Sequence, residues 1–178
     1  MQQPPDEVLI EQSKNGDMAS FKQLVIRHEG KVAGVIRSML GATAEAEDVG
    51  QEVFIRFYES LKAFRGDAQL STYLVRIAMN LSLNELKRKK RSFLRFSPLE
   101  AATGMNDGNQ TMDLQEQLQY EFARLSSEFK AVATLRLVEG YSTEETAEIL
   151  KVPVGTVLSR LSRAQQKLRT ALAKKLKS

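Results

Sequence analysis

The side chains best suited to chemistry lie near the carboxyl end, where hydroxyl and cationic residues recur every three or four positions. Such groups donate hydrogen bonds to base edges and phosphates, which is how proteins bind duplex DNA. Residues 151–178 contain eight Lys or Arg and no Asp or Glu, although the whole chain carries a net charge of only +4. The candidate DNA-binding residues on this face are Thr156, Ser159, Arg160, Arg163 and Lys167.

Two helices must position these side chains. Ser142, followed three residues later by Glu145, predicts a capping box at the start of the first helix, and Pro153 predicts its end near Val152. The second helix should begin near Val154 and bury apolar residues at helical spacing: Val157, Leu161, Ala164 and Leu168. This pattern is typical of a helix-turn-helix. The alternative is a corner of an all-α domain with a solvated cationic face, but the lack of acidic residues for i,i+4 pairing favours DNA.

An earlier helix presents a second candidate face. Ser71 or Thr72 should cap it, and its predicted buried stripe is Leu74, Ile77, Ala78 and Leu81. The opposite face combines an aromatic ring, two carboxamides and several cations: Tyr73, Arg76, Asn80, Asn84, Lys87, Arg88 and Arg91. Stacking, amide contacts to bases and cations for phosphate together suit single-stranded DNA. A solvated helix with a basic tail is the alternative, although it needs no pair of asparagines.

A third helix, predicted to begin after Thr43, has an acidic exposed face. Asp48, Gln51 and Glu52 lie opposite an apolar line that contains Val53 and Phe54. This face is either a docking surface for a protein partner or the solvated side of an ordinary helix, and composition alone does not separate the two.

The composition argues against several classes of protein. The chain has no cysteine, so it cannot form a disulfide or a cysteine-based zinc site. Its single histidine, His28, cannot build a histidine-rich metal site and is predicted at the surface or at its boundary. We found no phosphate-binding Gly-Lys loop and no marked nucleophile–base pair, so we predict no cofactor and no enzymatic activity. The amino terminus lacks a signal-peptide pattern, and the apolar runs are too short to cross a bilayer. We therefore expect a cytoplasmic protein that does not insert into membranes.

The pattern of apolar spacing predicts an all-α fold of two small domains, in which Asp6 and Asp17 should cap the first two helices. Residues 1–91 form the first domain and residues 114–178 the second. Between them, residues 92–113 are rich in Gly, Pro, Asn and Asp and have weak apolar spacing, so we predict a flexible linker.

Three motifs in this order resemble the extracytoplasmic-function (group IV) sigma factors of bacterial RNA polymerase. They are "AEDVGQEVFIRFYESLKAF" from Ala46, "FRGDAQLSTYLVRIAMNLSLNELKRKKR" from Phe64 and "GTVLSRLSRAQQKL" from Gly155. The resemblance implies a promoter-specificity subunit whose first domain is region two and whose second is the region-four helix-turn-helix. It also implies three partners: core RNA polymerase, promoter DNA in duplex and single-stranded form, and an anti-sigma factor.

The resemblance assigns roles to the candidate residues. Asp48, Gln51, Glu52 and Phe54 match the helix that docks on polymerase, which favours the docking interpretation of the acidic face. Residues 64–71 and the helix to Asn84 match the segment that melts and holds the minus-ten element, where Asn80 contacts a base. The basic face near the carboxyl end would read the minus-thirty-five element. The chain departs from the family's usual residues at Leu70, Tyr73, Ser126 and Leu158.

The second hypothesis is an ordinary helix-turn-helix regulator whose amino-terminal helices dimerise or bind a signal. The acidic helix and the second nucleic-acid face separate the two hypotheses, because a simple regulator needs neither.

Overall fold

The structure, a computed structural model, describes residues 4–96 and 113–175, and the regular elements in these stretches are all helical. The first stretch contains α1 (Asp6–Lys14), α2 (Met18–Leu40), α3 (Ala44–Ser60), a 3₁₀ turn (Leu61–Ala63) and α4 (Leu70–Phe96). The second contains α5 (Leu114–Ala123), α6 (Ser127–Ala133), a π-helical turn (Thr134–Val138), α7 (Thr143–Leu150) and α8 (Val154–Lys175). The predicted all-α fold is therefore confirmed.

The chain forms two compact units, a first unit of residues 1–82 and a second unit of residues 83–178. The division falls inside α4, which continues past Arg91 to Phe96. The first residues of the predicted linker are thus helical, because the apolar and basic residues after Arg91 extend α4. The rest of the predicted linker, from residue 97 to residue 112, lies outside the described residues.

Side-chain caps begin several helices where the sequence predicts them. Asp17 accepts hydrogen bonds from the amides of Ala19 and Ser20 at the start of α2, and the Ser20 hydroxyl bond to its carboxylate is the main cause of its lowered pKa. Ser142 and Glu145 form the predicted capping box of α7. These interactions satisfy amide groups that have no partner within the helix.

Two helix starts differ from the prediction. Asp6 lies in the first turn of α1, whose cap is Pro5, and α4 begins at Leu70 rather than after Ser71 or Thr72. Leu70 is buried, so packing of this side chain outweighs the capping preference of the hydroxyl residues that follow.

The core of the first unit contains side chains from α1 to α4. Val53, on the predicted apolar line of α3, is wholly buried, and so is Phe57. On α4 the buried face is rotated from the prediction: Val75 and Met79 are buried with Leu74 and Ala78, while Ile77 and Leu81 are only half-buried. The α4 sequence offers two overlapping apolar lines, and packing in the core of the first unit selects between them.

His28 is buried, whereas the sequence predicted a position at the surface or at its boundary. Its exposed fraction is 9%, and its Nε2 lies 2.7 Å from Oδ2 of Asp6. Asp6 also pairs with the guanidinium of Arg27. The carboxylate therefore attaches α1 to α2 and satisfies an imidazole that burial would otherwise leave without a partner.

The core of the second unit brings α8 against α5, α6 and α7. One cluster contains Leu125, Ala133, Ala164 and Leu168, and another contains Val132, Ala147 and Val157. The predicted buried stripe of α8 is confirmed, with Leu161 half-buried at its side. This packing leaves the hydroxyl and cationic residues of α8 on the opposite side.

The turn between α7 and α8 has a defined geometry. Lys151 adopts a left-handed φ of 54°, and the amides of Lys151 and Val152 donate to the carbonyl oxygens of Glu148 and Ala147 at 3.3 and 3.0 Å. This left-handed ending terminates α7. Pro153 then precedes α8, as expected for a residue that starts a helix without needing its own amide bond.

A buried lysine connects α5 and α6. The side chain of Lys130 has an exposed fraction of 7%, and its Nζ donates to the carbonyl oxygen of Ala123 at 2.7 Å. Burial disfavours the charged ammonium and lowers the pKa of Lys130 below its ordinary value of 10.5.

This lysine should make stability depend on alkaline pH. Between the folded-state pKa of Lys130 and 10.5 the unfolded chain holds a proton that the folded chain has released, so the free energy of unfolding should rise with pH. Urea unfolding across this range should show the rise in the unaltered chain and a flatter profile in Lys130→Met. Lys151→Met, at an exposed position, is the control and should parallel the unaltered chain. A parallel profile for Lys130→Met would exclude this contribution.

Candidate nucleic-acid interface

The five predicted residues of the α8 face differ in their exposure to solvent. Ser159, Arg163 and Lys167 are exposed, while Thr156 and Arg160 are half-buried. Ser159 Oγ donates to the carbonyl oxygen of Thr156 at 3.0 Å. The predicted residues therefore do share one surface, and the cations lie one or two turns apart along it.

Two of these cations are held by α6. Nη2 of Arg160 lies 3.3 Å from Oε1 of Glu128, and Nζ of Lys167 lies 5.6 Å from the ring centroid of Phe129. Arg163 makes no ion pair or hydrogen bond with any residue that the structure describes. Sequence reasoning missed Glu128 and Phe129, because nothing local marks a contact between residues so far apart in the chain.

Leu158 also lies on the free side of α8 and is exposed. The family commonly has a basic residue here, and leucine replaces a hydrogen-bond donor by an apolar group. Contact with a thymine methyl group remains available to such a side chain in the major groove.

The α4 face is open along much of its predicted length. Asn80, Asn84, Lys87 and Arg91 are exposed at steps of three or four residues. Arg88 is exposed too, but its Nε and Nη2 each lie 2.8 Å from a carboxylate oxygen of Glu85. The prediction did not include this acidic neighbour, and the helical i,i+3 spacing is the signal that would have identified it.

Tyr73 and Arg76 differ from the predicted open face, since both are half-buried. The ring of Tyr73 lies 5.0 Å from that of Phe64 and 6.2 Å from that of Phe57, measured between centroids. Its hydroxyl is bonded to Ser60 Oγ at 3.0 Å. Tyr73 therefore packs the loop that begins at Phe64 onto the core, and its ring is less available for stacking on bases.

The α3 residues face two grooves of the first unit. Gln51 and Phe54 line a groove of about 660 Å³ between α2 and α3. Glu52 lines a second groove, between α3 and α4, together with Tyr73 and Asn80. The four predicted docking residues are thus not equivalent, and Glu52 lies beside the predicted minus-ten residues.

Charge and exposure also differ along α3. Asp48 and Gln51 are exposed, whereas Phe54 is half-buried and Glu52 is paired with Arg56 at 2.7 Å. Ile55, at the edge of the α2–α3 groove, is 52% exposed and was missed by sequence reasoning. Its position four residues after Gln51 is the signal that places it on the same face.

The residues that the structure describes contain neither a candidate metal site nor a candidate membrane-spanning helix. No group of three or more His, Cys, Asp or Glu side chains there could hold a metal ion. None of the described helices is long and apolar enough to span a membrane.

Comparison with known families assigns both halves of the chain. Residues 24–92 match Sigma-70 region 2, and residues 115–168 match Sigma-70, region 4. An ordinary helix-turn-helix regulator would require no region 2, so this hypothesis is not supported.

Relatives match over nearly the whole chain. The "ECF RNA polymerase sigma factor SigW" of Bacillus subtilis is 31% identical over 92% of this chain and 94% of its own. The "ECF RNA polymerase sigma-E factor" of Haemophilus influenzae is 36% identical over 93% of this chain and 94% of its own.

Solved structures share the fold. CnrH, in complex with the cytosolic domain of CnrY, is 26% identical with a TM-score of 0.67 and covers 95% of this chain and 97% of its own. The sigma factor RpoE from Bartonella quintana, in complex with the anti-sigma factor NepR, has a TM-score of 0.68 at 22% identity, covering 86% of this chain and 96% of its own. With both sigma regions matched and ECF relatives more than 30% identical over nearly the whole chain, the chain belongs to the ECF sigma factors, which direct RNA polymerase to promoters.

Proposed function

We propose that the two domains divide promoter recognition, with residues 114–178 binding the minus-thirty-five element as duplex. The single observation that best supports this role is the exposed guanidinium of Arg163 on α8, which makes no ion pair or hydrogen bond with the described residues. An arginine so placed can make paired hydrogen bonds to guanine in the major groove. Thr156, Ser159, Arg160 and Lys167 complete the proposed contact surface.

Residues 1–91 hold the opened minus-ten strand in this proposal. Asn80 and Asn84 contact bases, and the exposed Lys87 and Arg91 contact phosphate. Arg88 reaches phosphate only when its bonds to Glu85 are exchanged. Tyr73 and Arg76 act at the edge of this surface, since Tyr73 packs residues 64–71 in position.

The α3 helix docks on core RNA polymerase in this proposal. Asp48 and Gln51 supply polar contacts, Phe54 and Ile55 supply apolar area beside the α2–α3 groove, and Glu52 borders the neighbouring groove. An apolar centre with a polar rim is the usual composition of a protein interface, which supports this assignment.

We also propose that an anti-sigma factor binds this chain, as one binds RpoE from Bartonella quintana. We place the chain in group IV of the family, because residues 93–114, between the two matched regions, are too few for a further domain. In this proposal the protein acts in the cytoplasm, where promoter DNA lies. It has no cofactor and catalyses no covalent step, since its work is differential binding.

A substitution at Asn80 tests the division of labour. Because Asn80 meets bases only after the strands part, Asn80→Ala in the reconstituted holoenzyme should leave closed-duplex binding nearly unchanged and reduce promoter opening. Permanganate reactivity of promoter thymines measures opening, and electrophoretic mobility at low temperature measures closed binding. Arg163→Gln is the paired control and should lose closed binding. Normal opening with lost duplex binding in Asn80→Ala would reverse the assignment of the two faces.

A further inference from the structure

The first turn of α6 contacts the proposed DNA-binding face of α8 through two consecutive residues. Glu128 pairs with Arg160, and Phe129 lies beneath the ammonium of Lys167. Arg163, between these cations on α8, has no such contact within the described residues. Before DNA binds, the three cations of this face therefore differ in their contacts with the described residues: Arg160 and Lys167 are held by α6, and Arg163 is not.

The Glu128–Arg160 ion pair is exposed enough for DNA to replace Glu128 as the partner of Arg160. The side chain of Glu128 is 62% exposed and that of Arg160 is 24% exposed, so the carboxylate lies at the surface while the guanidinium is partly covered. An ion pair in such a setting contributes little to folding. While the pair is formed, however, the carboxylate of Glu128 offsets the positive charge that Arg160 would otherwise present to a polyanion.

The pair should weaken every contact of Arg160 with DNA. The guanidinium must leave Glu128 before it can meet a phosphate or the edge of a guanine, so the same exchange opposes both contacts. A phosphate only replaces one anionic partner by another, so on a duplex of any sequence little is gained and Arg160 stays with Glu128. The counterion that Arg160 would otherwise displace then remains on the DNA.

We propose that Glu128 attenuates DNA binding: it withholds Arg160 from phosphate and so lowers both the affinity and the salt dependence with which α8 binds duplex of any sequence. This inference rests on the proposed binding of α8 to duplex DNA. The competing explanation is that the pair only braces α6 against α8.

The test measures binding of the full chain to a duplex pool of random sequence, by fluorescence anisotropy over a series of salt concentrations. Glu128→Gln should bind this pool about two- to fivefold more tightly, as expected for release of an exposed ion pair. Its salt dependence should steepen by about one unit in the logarithmic slope, because Arg160 then neutralises one more phosphate.

Two further variants distinguish a specific effect from a general change of charge. In an Arg160→Gln background, Glu128→Gln should no longer change the affinity or the slope. Glu144→Gln removes another exposed carboxylate of the second unit, one with no described partner, and should leave the slope unchanged. An equal gain with and without Arg160 would overturn the proposal, as would lower thermal stability with unchanged affinity in Glu128→Gln, the result expected of a brace.

Lys167→Gln separates this inference from the function on which it rests, because the ammonium of Lys167 is expected to contact phosphate on a duplex of any sequence. If α8 binds duplex, this variant weakens binding to the pool. Unchanged binding would mean that α8 does not meet duplex DNA at all. Weakened binding combined with an inert Glu128→Gln would reject only the role of Glu128. If the Arg160 variant is unstable, the salt slopes of Glu128→Gln and of its control Glu144→Gln still distinguish release of Arg160 from a general change of charge.

Discussion

Ile55→Asp is expected to weaken assembly with core RNA polymerase by at least about tenfold, or about 1.4 kcal/mol. Ile55 is an exposed branched side chain at the edge of the α2–α3 groove, beside Gln51 and Phe54. Apolar residues at the centre of an interface commonly carry a large share of the binding energy, and a buried carboxylate without a partner opposes docking. Titration of labelled chain with core polymerase would measure the loss.

The chain offers a matched control for this substitution. Ile26, on α2, is 58% exposed and is not among the residues that line the groove. Ile26→Asp makes the same chemical change on a neighbouring surface, and we expect polymerase affinity close to that of the unaltered chain. Both variants should keep the helical circular dichroism of the parent. Equal losses in the two variants, or none in Ile55→Asp, would remove this groove from the docking surface.

Arg163→Ala should cost about 1–3 kcal/mol in binding of the minus-thirty-five duplex and relax preference at one base pair. The reason is geometric. The guanidinium of Arg163 is exposed and makes no ion pair or hydrogen bond with the described residues, so it breaks no such contact before it meets a base. Affinities of the holoenzyme for a set of duplexes, each altered at one base pair, would locate the position that Arg163 reads.

Lys167 provides the comparison for Arg163. Its ammonium lies over the ring of Phe129, one turn after Arg163 on α8, and an ammonium binds phosphate as a point charge rather than as a planar fork. Lys167→Ala should therefore weaken all duplexes alike and lower the salt slope by about one unit. Loss of preference at one base pair in Lys167→Ala, with a uniform loss in Arg163→Ala, would mean that the two roles are exchanged.

The sequence by itself determined the features that depend on neighbours within a few residues. The Asp17 cap, the capping box of Ser142 and Glu145, and the break before Pro153 are local, because a cap and its amides lie within one turn of helix. The buried stripe of α8 follows from helical periodicity in the same way. The family was also recognisable, since its motifs are continuous segments of chain.

Only the tertiary structure decided which polar side chains meet. Glu128 reaches Arg160, Asp6 reaches His28, and Lys130 reaches the end of α5 because the core brings separate helices together. The same packing placed Tyr73 in an aromatic cluster, although its spacing on α4 indicated an open face. Periodicity states which residues share one side of a helix, but the choice of buried side and of each partner depends on the whole core.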